Sequence, residues 1–278
     1  MNWIVTGASR GLGKAIALAA MEAGHSVAAG VRKLTDADDL KQQFGNLCLP
    51  LLMDMTRPET LTEAYHSVLT HWGSVDVLIN NAGYGLWGMM EELDMEQIRH
   101  QMEVNFFGLV EMTRLVVPGM RIQKSGFIAN ITSLAGLRGM QGLSAYNASK
   151  FAVEGFTEAL AQEMAHFDVR VCAVEPGPYR TDWAGNSLVK TEALVNLHTK
   201  SPYFDLNQIA AKRISLSDGK QPGDPQQIAQ VLVLAASAPE VPLHMLFGDV
   251  CIEGWEQRKS RFSDPRFMSY YPHDKFTL

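Results

Sequence analysis

Tyr146 and Lys150 stand four residues apart in Tyr146-Asn147-Ala148-Ser149-Lys150, and on a helix that spacing puts both side chains on one face. A free tyrosine ionises at about 10, too high for an efficient base at neutral pH, but a neighbouring ammonium favours the phenolate and moves it toward the working range. The pair predicts proton transfer, with Tyr146 as the acid or base and Lys150 as its activator. Ser133 closes an apolar run and carries a hydroxyl able to hydrogen-bond a substrate oxygen and stabilise charge developing there. Singly, these residues also fit plainer readings: an exposed amphipathic pair and a strand terminus.

A second constellation lies at the N-terminus, in Thr6-Gly7-Ala8-Ser9-Arg10-Gly11-Leu12-Gly13. A strand feeding such a turn and then a helix presents backbone N–H groups and the positive end of a helix dipole to an anion, here the pyrophosphate of a dinucleotide. Gly7, Ser9, Arg10, Gly11, Leu12 and Gly13 are the candidate contacts. Three glycines alone could merely satisfy a tight turn; their place between an apolar run and an amphipathic segment is what points to a nucleotide.

The elements that must carry these residues are legible as apolar runs of strand length: Asn2 to Thr6, Ser26 to Val31, Leu47 to Asp54, Val75 to Asn80, Phe127 to Ser133 and Val169 to Val174. They alternate with segments of helical period, a pattern that builds a parallel sheet. Because the runs are apolar at nearly every position, both faces must be covered by helices, giving an α/β doubly wound Rossmann fold. The first helix is expected to end at Ala23 with Gly24 as its left-handed cap. Asp94 and Gln97 form a capping box opening a long helix through Val117, stopped by Pro118-Gly119. Asp224, Pro225 and Gln227 repeat the signature before Ile228 to Ala236. The stretch from Ala184 to Gly223 has weak periodicity and reads as an excursion from the sheet, a lid or binding loop.

The 278 residues, 46% of them hydrophobic, suffice for one substantial core in one domain. Lys plus Arg total 24 against 30 Asp plus Glu with no block of like charge, which argues against a nucleic-acid groove or an anionic membrane and for a small-molecule partner. Cys48, Cys172 and Cys251 lie apart among apolar residues and read as reduced packing thiols. The first six residues already look like a buried strand, no signal peptide is expected, and no apolar run reaches the ~18 residues of a membrane span. A cytoplasmic location fits.

Further motifs follow in order: Asn80-Asn81-Ala82-Gly83 at the end of the fourth run, Ser133 at the end of the fifth, Tyr146 to Lys150, and Pro176-Gly177 after the sixth. With the TGxxxGxG spacing, this sequence of motifs resembles the short-chain dehydrogenase/reductase family, densely over residues 1 to 182 and thinly to the Asp224 helix. The resemblance implies a mostly parallel seven-stranded sheet. It also implies that Asp54 contacts adenine through its side chain and Met55 through its backbone, with Asn81, Ala82 and Gly83 beside the adenosine. Pro176 and Gly177 would border the nicotinamide, and Thr181 would meet its carboxamide. Asn105, in Val104-Asn105-Phe106-Phe107-Gly108, matches the family asparagine that holds a water linking the lysine to solvent; it could otherwise be a helix kink. The family often closes its sheet with a strand and a glycine-rich tail packed between subunits. Here Leu243-His244-Met245-Leu246-Phe247-Gly248-Asp249 leads through Trp255 to Tyr270, Tyr271 and Phe276. That departure is similar to the hydroxysteroid and retinol dehydrogenase branch and leaves a homodimer better supported than a tetramer.

An NAD-preferring site places Asp or Glu near the end of the second strand, whereas here the position is Val31, followed by Arg32. Arg10 and Arg32 can converge on a 2'-phosphate through forked, charge-assisted hydrogen bonds, predicting NADP (NADPH) rather than NAD; a solvated strand end at Arg32 and Lys33 is the plainer alternative. The expected reaction is reversible hydride exchange between C4 of a nicotinamide and a carbonyl or secondary alcohol carbon, by a relay of Asn105, Ser133, Tyr146 and Lys150. The eight histidines show no HExxH or clustered ligands, so no metal is expected. Trp87, Met89, Met90, Leu134, Met140, Leu143, Tyr179, Trp183, Tyr203 and Phe204 are candidates for an apolar, ring-bearing substrate's pocket. Two other readings are open: a non-catalytic NADP-binding redox sensor, against which the intact tetrad argues, and a sugar-nucleotide epimerase or dehydratase, against which the glycine spacing and chain length argue.

Overall fold

A computed structural model describes residues 1–181, 187–217 and 219–263. In chain order its elements are β1 (Asn2–Thr6), α1 (Gly11–Glu22), β2 (Ser26–Val31), α2 (Asp38–Phe44), β3 (Cys48–Leu52), α3 (Pro58–Trp72), β4 (Val77–Asn80), β5 (Gly85–Trp87), α4 (Met95–Met102), α5 (Gly108–Gln123), β6 (Gly126–Ile131) and α6 (Leu134–Leu137). There follow α7 (Ser144–Ala165), β7 (Val169–Pro176), β8 (Leu188–Lys190), α8 (Glu192–Asn196), α9 (Phe204–Ser217), α10 (Pro225–Ser237), β9 (His244–Phe247) and α11 (Asp249–Phe262).

Seven strands form one sheet in the order β3-β2-β1-β4-β6-β7-β9, every neighbouring pair parallel. Side chains alternate across a strand, and β1 shows the consequence. Trp3 and Val5 pack in a core with Ile16 of α1, Leu40 of α2 and Leu232 of α10. Ile4 packs on the opposite face with Leu61 of α3, Met112 of α5 and Leu160 of α7. Both faces are therefore buried, as the continuous apolar runs predict. The strand order reverses between β1 and β4, opening at their carboxyl ends the crevice where doubly wound sheets bind ligands.

Two sequence expectations change. The helix predicted to stop at Pro118-Gly119 runs through both to Gln123. Proline inside a helix costs about 3 kcal/mol, but Met112, Val116 and Met120 are fully buried along α5, and their burial holds the helix past the missing N–H. The stretch from Ala184 to Gly223 contains regular structure: β8 pairs parallel with β5 in a small second sheet, and Leu188, Leu194, Ala210 and Ile214 give it an apolar cluster of its own. The run from Leu243 to Asp249 supplies the seventh strand of the expected sheet, with His244–Phe247 pairing with Ala173–Pro176 of β7.

The capping box of Asp94 and Gln97 opens α4 as expected. The helical path then widens into a π-helical segment over Glu103–Phe107 before α5. Cys48, Cys172 and Cys251 are free thiols, all buried. Among the described residues no helix is long and apolar enough to cross a membrane.

Candidate functional site

The glycine turn links β1 to α1 at the sheet crevice. Gly7 and Gly11 have φ of +68° and +56°, the left-handed region that costs a side chain most. Gly13 is required for a different reason: a Cβ there would lie 2.3 Å from both Gly7 O and Asn81 Nδ2. The contact reflects a clamp. Asn81 Nδ2 donates to the carbonyl oxygens of Thr6 and Gly7 at 2.9 and 3.2 Å, while the backbone amides of Asn81 and Ala82 donate to Thr6 Oγ1 at 2.9 and 3.0 Å. Arg10 provides no side-chain cap for α1, and the first turn holds no acidic residue. The helix thus offers uncapped amides and its positive end to the cavity, an arrangement that fits a pyrophosphate.

At the other rim of this crevice Val31 ends β2 and Arg32 follows it, and Asp54 and Met55 follow β3. Asp54 Oδ1 accepts from the Thr56 amide at 3.0 Å and its hydroxyl at 2.8 Å. Burial alone would raise the Asp54 pKa, but these bonds, together with the charges of Arg32 and Arg57, hold it below the ordinary carboxylate value. An anionic Asp54 and a cationic Arg32 therefore share one edge of the cavity.

The chemistry-bearing residues gather farther along. Tyr146 and Lys150 lie one turn apart on α7, only 5% exposed each, with Lys150 Nζ 5.9 Å from the tyrosine ring centre. Lys150 Nζ donates to Ile131 O at 2.8 Å, which anchors it to the end of β6. Burial pulls its pKa down to about 8, opposed by the charge of Glu154. Ser133 begins α6, its Oγ accepting from the Ala135 amide at 3.1 Å; that bond uses a lone pair and leaves the hydroxyl hydrogen able to donate elsewhere. Asn105 sits in the π-helical widening, a feature common at functional sites. Its Oδ1 accepts from the Tyr84 amide and its Nδ2 donates to Tyr84 O and Ser149 Oγ, each at 3.0 Å. A Cβ at Gly83 would lie 3.2 Å from Asn105 Oδ1 and 3.6 Å from Lys150 Nζ, so the two polar groups meet across that glycine.

One cavity of about 970 Å³ joins both ends. Its walls include every predicted nucleotide residue from Gly7 to Thr181 and, of the four predicted relay residues, Ser133, Tyr146 and Lys150. Asn105 stands behind the wall. Of the substrate candidates, Trp87, Leu134, Met140, Leu143 and Tyr179 line the cavity. Met89 is buried but does not line the cavity, Met90 is 58% exposed, and Tyr203 and Phe204 are not among the lining residues. Trp183, Tyr270, Tyr271 and Phe276 lie outside the described residues. Sequence reasoning missed Tyr84, Arg138, Val189, Arg213 and Val250 as lining residues, and it missed the work of Asn147. That side chain donates to Ala135 O and Arg138 O at 2.7 and 2.8 Å and accepts from the Met140 amide at 3.0 Å, fixing the loop between Ser133 and Tyr146. Its place beside Tyr146 was the one available signal.

The sequence profile of the short chain dehydrogenase family matches residues 2–191. An oxidoreductase from Botryotinia fuckeliana, BOA17, is 38% identical over 253 residues, covering 90% of each chain. Among solved structures, a short-chain dehydrogenase from Streptomyces avermitilis superposes with a TM-score of 0.86 at 31% identity, covering 97% of this chain and 98% of that one. A closed serine dehydrogenase complexed with NADP+ follows at 0.75 and 26%, covering 88% and 93%. The seven-stranded parallel sheet agrees with these structural likenesses, and the chain belongs to the short-chain dehydrogenase/reductase family.

Proposed function

We propose that this chain interconverts a carbonyl and a secondary alcohol with NADP(H) in the crevice, the glycine turn and uncapped start of α1 holding the pyrophosphate. Arg10 and Arg32 both border the cavity, where they would favour a 2'-phosphate over a bare ribose. The similar serine dehydrogenase structure holds NADP+, which supports a nicotinamide dinucleotide as the cofactor.

A nicotinamide held in the crevice would supply or take up hydride at its C4. In the reducing direction Tyr146 gives the substrate oxygen its proton, Ser133 donates a hydrogen bond to that oxygen, and Lys150 stabilises the phenolate left on Tyr146. In the oxidising direction Tyr146 takes the proton back. Asn105, bonded to Tyr84 and Ser149, keeps the space beside Lys150 Nζ polar and in place for proton exchange with solvent. Trp87, Met140 and Leu143 pack around Tyr146 and would dress the substrate end for an apolar molecule.

The observation that carries this reading is the convergence of Ser133, Tyr146 and Lys150 on the cavity that the glycine turn also lines. The test is NADPH consumption over aldehydes, ketones, quinones and steroid ketones, beside Tyr146→Phe. Lost turnover with retained NADPH affinity is expected; turnover retained by the variant removes Tyr146 from the chemistry. Tight NADPH binding with no turnover on any substrate would instead favour a redox sensor.

A further inference from the structure

Behind Lys150, away from the reaction cavity, three ionisable side chains from three elements meet. Glu154 lies one turn after Lys150 on α7, Glu175 stands near the end of β7, and His244 opens β9. His244 Nδ1 is 2.7 Å from Glu175 Oε1 and 3.6 Å from Glu154 Oε2. One ligand atom from each residue lies within 4.8 Å of the others. The side chains of Glu154 and Glu175 are 4% and 0% exposed.

Two carboxyl groups removed from water need compensation from hydrogen bonds, a proton or a cation. Both carboxylate oxygens of Glu154 and Oε2 of Glu175 are buried without a hydrogen-bond partner. His244 has two ring nitrogens: Nδ1 serves Glu175, and Nε2 faces Glu158 Oε1 at 3.7 Å. Without an ion the cluster balances its charge by protonation instead, burial and Glu154 raising the Glu175 carboxyl and both glutamates raising the His244 imidazole, and a bound cation would displace those protons.

We propose that Glu154, Glu175 and His244 form a binding site for one divalent cation of the zinc class. Carboxylate and imidazole ligands hold Zn2+ at about 2.0–2.2 Å, which sets tetrahedral ligand atoms roughly 3.3 Å apart. Two of the three separations, 2.7 and 3.6 Å, bracket that spacing, and all three ligand atoms lie within 4.8 Å of one another. The mixed oxygen and nitrogen donor set suits a borderline ion better than Mg2+ or Ca2+. Metal-bound histidines usually give their other N–H to a carboxylate, and Glu158 stands where that partner is needed. His244 is 25% exposed beside the Trp255 ring, whose centre is 5.8 Å away, which gives the ion a path from solvent. Bound there, the ion would staple α7 to the last two strands of the sheet. Sequence patterns could not find it, because the ligands are far apart along the chain and join only through the β7–β9 pairing.

The full-length protein, stripped with chelator and dialysed, is titrated with ZnCl2 by calorimetry, with MgCl2 as control, and its melting temperature is followed with and without zinc. One equivalent of zinc per chain and a zinc-dependent rise in melting temperature are expected, with no magnesium response. His244→Ala and Glu175→Gln should each abolish both effects while NADPH binding persists as proof of folding. Should Glu175→Gln fail to fold, His244→Ala alone, at the partly exposed position, decides, and the visible spectrum of the cobalt-loaded wild type reads out imidazole ligation. Absence of stoichiometric zinc uptake by the wild type, or uptake undiminished in the folded variants, overturns the proposal. Tyr146→Phe should bind zinc as the wild type does, so failure of this site and failure of the proposed chemistry are read separately.

Discussion

Asn147 Nδ2 donates to the carbonyl oxygen of Ala135 at 2.7 Å, joining the residue beside Tyr146 to the segment that starts at Ser133. With its bonds to Arg138 and Met140, this one amide ties Ser133 to Tyr146, the proposed substrate-orienting hydroxyl to the proposed proton donor. Asn147→Ala should leave two buried carbonyls and one amide without partners, at about 1–3 kcal/mol each before relaxation. A misplacement near 1 Å costs roughly a hundredfold in rate. A drop in kcat/KM of about ten- to a hundredfold with NADPH affinity retained is expected from steady-state kinetics and fluorescence titration; unchanged kinetics would falsify the positioning role.

Asn81 performs the same service for the glycine turn. Asn81→Ala removes the donor to Thr6 O and Gly7 O. The turn should loosen, lowering NADPH affinity by roughly ten- to a hundredfold, in line with the loss of two partly buried hydrogen bonds at ~0.5–1.5 kcal/mol each. Calorimetric titration with NADPH checks it. Loss of turnover at saturating NADPH, with affinity intact, would place Asn81 in a different role.

The sheet was legible because its strands carry their signal locally: β1 and β2 begin and end at the residues their apolar runs mark. The glycine turn and the Tyr146–Lys150 spacing were equally local. What escaped depends on tertiary contact. Pro118 reads as a stop until the buried Met120 beyond it is seen. β8 is three residues long and becomes a strand only by pairing with β5. Arg138 and Arg213 reach the cavity from segments whose sequences say nothing of direction. Asn105 was readable as an odd residue in a helix, but the π-helical widening that seats it is a property of the α4–α5 junction as a whole.

Nucleotide choice follows from the edge where Arg32 faces Asp54. Arg32→Asp replaces the proposed phosphate contact with a carboxylate that repels a 2'-phosphate and can accept from ribose hydroxyls. One charge-assisted hydrogen bond is worth about 1.5–3 kcal/mol, so the ratio of kcat/KM for NADPH over NADH should fall by roughly ten- to a hundredfold. Comparable efficiencies of the wild type with the two nucleotides would sink the NADP assignment before the variant is made.

Lys150 makes a pH prediction whose sign is fixed by burial. Its pKa falls from the ordinary 10.5 to about 8 in the folded chain, burial being the cause and Glu154 the partial opponent. Between those two values the unfolded chain binds a proton that the folded chain has released, so this residue makes stability rise with pH across the window. Below about 8 the lysine is charged in both states and its whole desolvation cost stands. In Lys150→Met that dependence disappears, while the lost bond to Ile131 O changes stability by an amount insensitive to pH. The difference in unfolding free energy, wild type minus variant, should therefore be flat at neutral pH and climb in favour of the wild type from pH 8 toward 10.5. Urea denaturation of both nucleotide-free proteins across that range measures it, and a difference that stays level throughout means the folded lysine keeps its proton.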